Sequence, residues 1–380
     1  MQYAMSLVFV SLTFVCWGIY GPVLHEGQKA MSGSSLRPFL CVGLAYFLVA
    51  VVVPLVLMRL RREEGEWTVP GLIWSLAAGV AGAVGALGII LAFKARGNPL
   101  YVMPLVFGGA PVVNTVVTMW MSRSLQPVGK MFITGVLLVA LGSAGVMYFK
   151  PKAVGHAHVP IAATADQPDA NTPDAKKSTP ELAMKSPQEQ DLFAKELFAI
   201  VGAITLTACC WGCYGPVLHR GQSAMGGSRL RPLLCVGLAY FLIAVIVPSL
   251  VLLSWQEPGG WTWGGSVWSL VAGTAGAVGA LGIIMAFNYG GRPIYVMPLV
   301  FGGAPIINTI TSVLPPALRG QDISAIGPWF YLSLLLVAAG AVIVLLFAPR
   351  PGGSGDRTAA ERTGRQAHRK ELAATSHGSR

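Results

Sequence analysis

The chain repeats itself at a fixed offset, and this duplication limits its fold more than any other feature. Residues 85–115 return at residues 279–309, 194 positions later. Tyr101, Met103, Pro104, Phe107, Gly108, Gly109, Pro111 and Asn114 are answered there by Tyr295, Met297, Pro298, Phe301, Gly302, Gly303, Pro305 and Asn308. Residues 16–31 match residues 210–225 with only three differences, Ile19/Cys213, Glu26/Arg220 and Lys29/Ser223. Arg37-Pro38 recurs as Arg231-Pro232, Pro54 as Pro248 and Trp74 as Trp268. A repeat of this length is a duplicated half, not one unit of a solenoid.

Both copies lie in long apolar runs. With 54% hydrophobic and 11% charged residues, the chain is too apolar for a soluble fold. Ten candidate spans emerge, at 5–24, 37–58, 71–93, 99–121, 131–149, 196–216, 231–253, 264–287, 293–314 and 327–348. These runs are too long and continuous for barrel strands, so the spans are helices. The fold class is an all-α polytopic membrane protein, with ten transmembrane helices in two inverted five-helix repeats. The boundaries are 1–150 for the first repeat, 151–193 for a disordered polar linker, 194–348 for the second repeat and 349–380 for a disordered basic tail. The linker, rich in Ala, Asp, Pro, Thr, Lys and Gln, cannot bury a core. Lys150, His156 and His158 read as its solvated residues and not as a metal site.

An odd number of spans per half fixes the symmetry. The second copy must enter the membrane from the opposite side, so the halves are related by a pseudo-two-fold axis in the membrane plane. Loop charge agrees with a cytoplasmic N-terminus. The inter-span loops then placed inside carry nine Lys and Arg and those outside carry five, and the basic tail also falls inside. The Lys residues of the linker argue the other way. The expected location is the plasma (cytoplasmic or inner) membrane, multi-pass, with both termini cytoplasmic. The formal charge of +11 therefore marks topology and lipid contact, with no nucleic acid expected. No basic leader or cleavage site precedes the first span, so no signal peptide is expected.

The fourth and ninth spans carry the strongest site signal. Met103, Phe107 and Asn114 share one broad helical face, as do Met297, Phe301 and Asn308. Pro104, Pro111, Pro298 and Pro305 each remove a backbone donor and predict a kink or partial unwinding near mid-membrane. Paired interruptions in inverted halves point to a transporter's binding site. Asn114 and Asn308 then offer uncharged amides to a neutral polar substrate, or merely bond a carbonyl freed beside a proline. Trp17, Tyr20, Trp211 and Tyr214 either line a cavity or form interfacial belts. His25 and His219, at the ends of the first and sixth spans, are gating or proton-linked candidates facing opposite compartments, or simple interfacial hydrogen-bonders. Gly79, Gly82, Gly85 and Gly88, mirrored by Gly273, Gly276, Gly279 and Gly282, predict close helix packing. Arg37 and Arg231, near the mouths, are placed to steer anions.

No Asp or Glu lies in the interior of a span, with Glu26 at an end, so no mid-membrane carboxylate is available for ion coupling. The six cysteines (Cys16, Cys41, Cys209, Cys210, Cys213 and Cys235) read as small apolar packers. Cys210-Trp-Gly-Cys213 has the spacing of a redox motif, but its first-half counterpart has only Cys16. No catalytic residue, metal site or cofactor is expected, and the chain reads as a non-enzyme.

The ten-helix pattern in two inverted halves resembles the drug/metabolite transporter superfamily, the EamA-like proteins. The Gly-rich third span, running through Phe93-Lys-Ala-Arg-Gly-Asn98 into the fourth, is similar to the rhamnose and glucose uptake branch. The resemblance covers about 300 of the 380 residues, and the long linker departs from a typical member. It implies alternating access, with a central cavity lined by the first, third, fourth, sixth, eighth and ninth helices. The expected function is a secondary transporter (permease) for a small polar metabolite, a neutral sugar being the first guess. Efflux of amphipathic drugs or metabolites is the alternative. A membrane oxidoreductase using Cys209, Cys210 and Cys213 and a non-transporting scaffold rank below these. Expected partners are a small-molecule substrate and the lipid bilayer, with a second copy of the chain admissible as a homodimer.

Overall fold

In the computed structural model the described residues are 2–60, 63, 65–121, 129–151, 187–289, 293–318 and 326–348. They contain ten helices long and apolar enough to cross a membrane, and no strand. The first half supplies α1 (Gln2–Ala30), α2 (Leu36–Leu60), α3 (Val69–Lys94), α4 (Pro99–Met121) and α5 (Lys130–Phe149). The second supplies α6 (Pro187–Ala224), α7 (Leu230–Ser254), α8 (Trp263–Asn288), α9 (Pro293–Leu318) and α10 (Pro328–Leu346). The protein is a multi-pass helical membrane protein. Apolar side chains face the surrounding lipid, as Leu7, Leu55, Leu137 and Leu253 do, because lipid places no penalty on their exposure.

The halves are interleaved, not placed side by side. On α1, Thr13 Oγ1 donates to Gly279 O at 3.1 Å and Trp17 Nε1 to Gly276 O at 3.2 Å. The copy repeats both bonds, from Thr207 Oγ1 to Gly85 O at 3.1 Å and from Trp211 Nε1 to Gly82 O at 3.2 Å. Glycine makes this approach possible. A Cβ on Gly85 would stand 2.3 Å from the Trp211 indole, and one on Gly279 the same distance from Trp17. Rising numbers on α1 meet falling numbers on α8, from Ser6 at Ala286 to Gly27 at Ser269, so these helices run antiparallel. The pair α3 and α6 does likewise, since Gly71 meets Met225 and Gly88 meets Thr207. α2 crosses its own copy α7, where Tyr46 and Tyr240 stack with centroids 3.8 Å apart. α5 packs on α10, Gly142 against Ser333 and Val337. The α1–α8 contacts recur between α6 and α3 with the two halves exchanged.

Pro104 and Pro111 lie inside a continuous α4, and Pro298 and Pro305 inside a continuous α9, so neither helix is partly unwound at its prolines. Where no water competes for the backbone, a proline removes its own bond without dissolving the helix. The irregularity lies instead in α2 and α7, at π turns Leu48–Val52 and Leu242–Ile246. Pro54 and Pro248 follow these turns, and each would clash with the carbonyl four residues back, at Ala50 and Ala244. Widening the turn relieves that clash. It also presents Ala50 to Gly237 and Ala244 to Gly43 at the α2–α7 crossing.

The linker boundary also moves. α6 begins at Pro187, so the last residues of the stretch 151–193 are helical. Lys150 is half-buried, with its ammonium 5.4 Å above the Tyr101 ring, and partial burial lowers its pKa; it is not a solvated linker residue. His156, His158 and the tail 349–380 lie outside the described residues.

Candidate functional site

Each helix α2 and α7 starts on a glutamate that the other half provides. The Glu257 carboxylate accepts from the backbone N–H of Ser35 at 2.7 Å, from that of Leu36 at 3.2 Å and from Ser34 Oγ at 2.5 Å. Arg37 Nη1 lies 3.7 Å from the same carboxylate. Glu63 treats α7 in the same way, accepting from Arg229 N at 2.8 Å, Leu230 N at 2.9 Å and Ser228 Oγ at 3.1 Å, with Arg231 Nη1 at 3.6 Å. A carboxylate at a helix N-terminus satisfies orphan donors and complements the helix dipole. Arg37 and Arg231 are therefore largely buried and paired, and the expectation that they steer anions is corrected. Sequence reasoning missed both acids, although the signal was present. Of the four glutamates in residues 1–150, only Glu63 has an acid 194 positions later.

Between these two latches lies an aromatic centre. Phe107 and Phe301, equivalent residues of the two halves, meet edge to face with centroids 6.1 Å apart. Trp17 stands 6.3 Å from Phe301 and Trp211 6.3 Å from Phe107. Tyr20 packs on Trp211 at 6.2 Å, and the stacked Tyr46 and Tyr240 lie beside it. Tyr46 and Tyr240 were not singled out from the sequence, since identical tyrosines in a pair of apolar helices look like any packing aromatics. The indole donors of Trp17 and Trp211 are committed to backbone carbonyls. These bonds leave neither indole N–H free for a ligand.

The polar groups here are few and uncharged. Asn308 is fully buried and donates from Nδ2 to Pro99 O at 2.9 Å, while its Oδ1 has no partner among the described residues. The hydroxyl of Tyr20 is likewise buried without a partner. Gln28 donates from Nε2 to Ile90 O at 3.2 Å, leaving Oε1 unmatched. Buried oxygens without partners are costly in an apolar interior and mark places where a ligand's donors would be welcome.

The two copies of the site differ in closure despite their near-identical sequence. Tyr20, Met103, Phe107 and Asn308 are buried, whereas Tyr214, Met297, Phe301 and Asn114 are only half-buried. At Gly21 a Cβ would stand 2.4 Å from Met103 Cγ and 3.4 Å from Asn308 Oδ1. At Gly215 the nearest atom is Asn114 Nδ2 at 2.8 Å, and Met297 is not in contact. α1 thus closes on the C-terminal end of α3 and the N-terminal end of α4. Among the described residues no comparable packing joins α6 to α8 or α9.

The remaining candidates fall outside this centre. α1 and α6 run on to Ala30 and Ala224, so His25 and His219 lie inside helices instead of at their ends. His25 is half-buried against Phe93 at 4.9 Å, and His219 is exposed. Cys16, Cys41 and Cys235 are buried and Cys209 is exposed; all six cysteines are free thiols.

No family model matches this chain, and no curated protein matches it. Among solved structures, one described as "Crystal structure of protein" is similar at 16% identity and a TM-score of 0.48. That similarity covers 91% of this chain and 99% of the other.

Proposed function

We propose that the protein is a secondary transporter of the drug/metabolite (EamA-like) type, moving a small neutral polar metabolite by alternating access. The observation that carries this reading is the unequal closure of two nearly identical half-sites. A symmetric sequence held in an asymmetric state has a second state of equal standing, in which α6 closes on α8 and α9 while α1 releases α3 and α4. The antiparallel pairing of each helix with its partner from the other half supports an inverted repeat, because a two-fold axis along the membrane normal would run α1 and α8 parallel. With the N-terminus inside, the closed gate at Gly21 and Met103 faces outward and the open gate faces inward.

The bodies that rock are not the repeats. Bonds identical in both copies tie α1 to α8 and α3 to α6, and these hold in the closed and open half-sites alike. Motion is therefore assigned to a bundle of α1, α8 and α9 against one of α3, α4 and α6. Each bundle mixes the two halves.

Site chemistry supports the substrate class. Buried acceptor oxygens on Asn308 and Tyr20, the absence of a free cation among the described central residues and aromatic walls favour a neutral hydrogen-bond donor such as a polyol or sugar. The aromatic walls also favour a second reading, amphipathic cations held by cation–π attraction. Thermal stabilisation of the purified protein by panels of sugars, amino acids, nucleosides and organic cations separates the two. We expect a neutral polyhydroxylated ligand to raise the melting temperature. Asn308→Ala should weaken that ligand about tenfold, the cost of one buried hydrogen bond. Stabilisation confined to cations would replace the first reading by the second.

A further inference from the structure

The repeat fails at one lipid-facing spot, and the failure opens a groove. Where α3 ends beside the start of α6, Leu91, Lys94, Ala95, Ala199, Gly202, Ala203 and Leu206 line a cavity of about 450 Å³. In the copy the equivalent positions are Met285, Asn288, Tyr289, Met5, Val8, Phe9 and Leu12. There Phe9 and Tyr289 stack with centroids 5.5 Å apart, where the first site has only Ala203 and Ala95. A Cβ on Gly202 would meet nothing within 4 Å. The same exchange removes bulk and adds charge, because Asn288 and Gly290 of the copy correspond to Lys94 and Arg96.

The charges at this mouth do not cancel. Arg96 pairs with Glu196 at 3.5 Å and Lys195 with Asp191 at 2.8 Å. Lys94 is exposed and has no ion pair among the described residues. An apolar slot on the outer surface of two spanning helices, ending at an uncompensated ammonium at the helix terminus, matches a chain attached to an anionic headgroup. A phosphate at Lys94 also lies near Arg96, which strengthens the attraction. We infer that this groove binds an anionic phospholipid of the surrounding bilayer, one acyl chain in the slot and the phosphate on Lys94. Among the described residues of the copy, Phe9 and Tyr289 fill the equivalent space, so lipid occupancy distinguishes the two helix pairs.

The test uses the full chain in detergent, titrated with dioleoylphosphatidylglycerol, dioleoylphosphatidylcholine or glycerol 3-phosphate, with bound lipid counted by native mass spectrometry. Phosphatidylglycerol is expected to bind in preference to phosphatidylcholine. Lys94→Asn should weaken it roughly fivefold, the factor expected of one basic residue near an anionic surface. The double variant Gly202→Val/Ala203→Phe copies side chains the other half already accommodates. It should lose the bound lipid while keeping its melting temperature in detergent alone. Gly202→Val by itself extends only into open space, and it keeps the test decisive if the double variant misfolds. Unchanged phosphatidylglycerol binding in Lys94→Asn would overturn the headgroup assignment, and unchanged binding in Gly202→Val would overturn the slot. Glycerol 3-phosphate binding as well as the lipid would show an anion site without a chain and would likewise overturn the proposal.

Discussion

Glu257→Ala is expected to destabilise the protein by about 3 kcal/mol, and Glu63→Ala by a similar amount, which is the range for breaking a buried ion pair by removing one partner. Each substitution removes the carboxylate that stands beside a mostly buried guanidinium, Arg37 or Arg231. It also strands the first N–H groups of α2 or α7, which the carboxylate now satisfies. Thermal unfolding in detergent should show a fall in melting temperature on the order of 5 °C for each. The control is Glu26→Ala, whose exposed pair with Lys29 at 3.5 Å should contribute less than about 0.5 kcal/mol. Exchanging the charges, as Arg37→Glu with Glu257→Arg, should not restore stability. A guanidinium has no acceptor for the backbone N–H groups and opposes the helix dipole. Recovery in the exchanged protein would mean that the pair acts by charge alone and that the capping role is wrong.

Both latches are formed in a structure whose two half-sites differ in closure. In the proposed transport cycle they belong to the fixed frame, not to the gates. The reason is topological: Glu63 and Glu257 sit in loops at opposite ends of the same α2–α7 crossing. Under the proposed transport cycle, the bundle of α1, α8 and α9 moves against that of α3, α4 and α6 around a crossing that stays capped at both ends.

Much of this was legible in the sequence because the sequence states the architecture twice. Apolar runs long enough to span a bilayer gave all ten helices. Which helix meets which was not legible. The glycines at 79, 82, 85 and 88 predict a close neighbour, but only the structure shows that Trp211 and Thr207 of the other half fill that role. The sequence also gives no hint that the indole N–H groups of Trp17 and Trp211 bond to backbone carbonyls of the other half. Prolines misled for a related reason: Pro104 and Pro111 are conspicuous, yet the π turn forms before Pro54, where α2 must also fit against α7. The unequal burial of Asn114 and Asn308 had no sequence signal at all, since their surroundings in the sequence are nearly identical.

That difference yields the prediction with the largest expected effect on activity. Gly21 allows α1 to close on Met103, and Gly215 must do the same for α6 and Met297 in the opposite state. Gly215→Val should be tolerated in the present state, because its nearest neighbour is the end of the Asn114 side chain and not backbone. It should penalise the opposite state by about 1–3 kcal/mol through overpacking, shifting the population roughly 10- to 100-fold toward the form described above. Gly21→Val should do the reverse, since a Cβ there stands 2.4 Å from Met103 Cγ. In a background lacking the native cysteines, Met297→Cys should react with a water-soluble maleimide more readily when combined with Gly215→Val, and less readily with Gly21→Val. Met103→Cys should show the opposite order. Either glycine variant traps one state, so both should reduce transport of a ligand found by thermal stabilisation at least tenfold, with little change in melting temperature for Gly215→Val. If both variants lower the melting temperature equally and leave the labelling pattern unchanged, the glycines serve packing alone and the unequal half-sites do not represent two ends of a transport cycle. Labelling that moves in opposite directions for the two variants would require a protein that exchanges two mirror-related states.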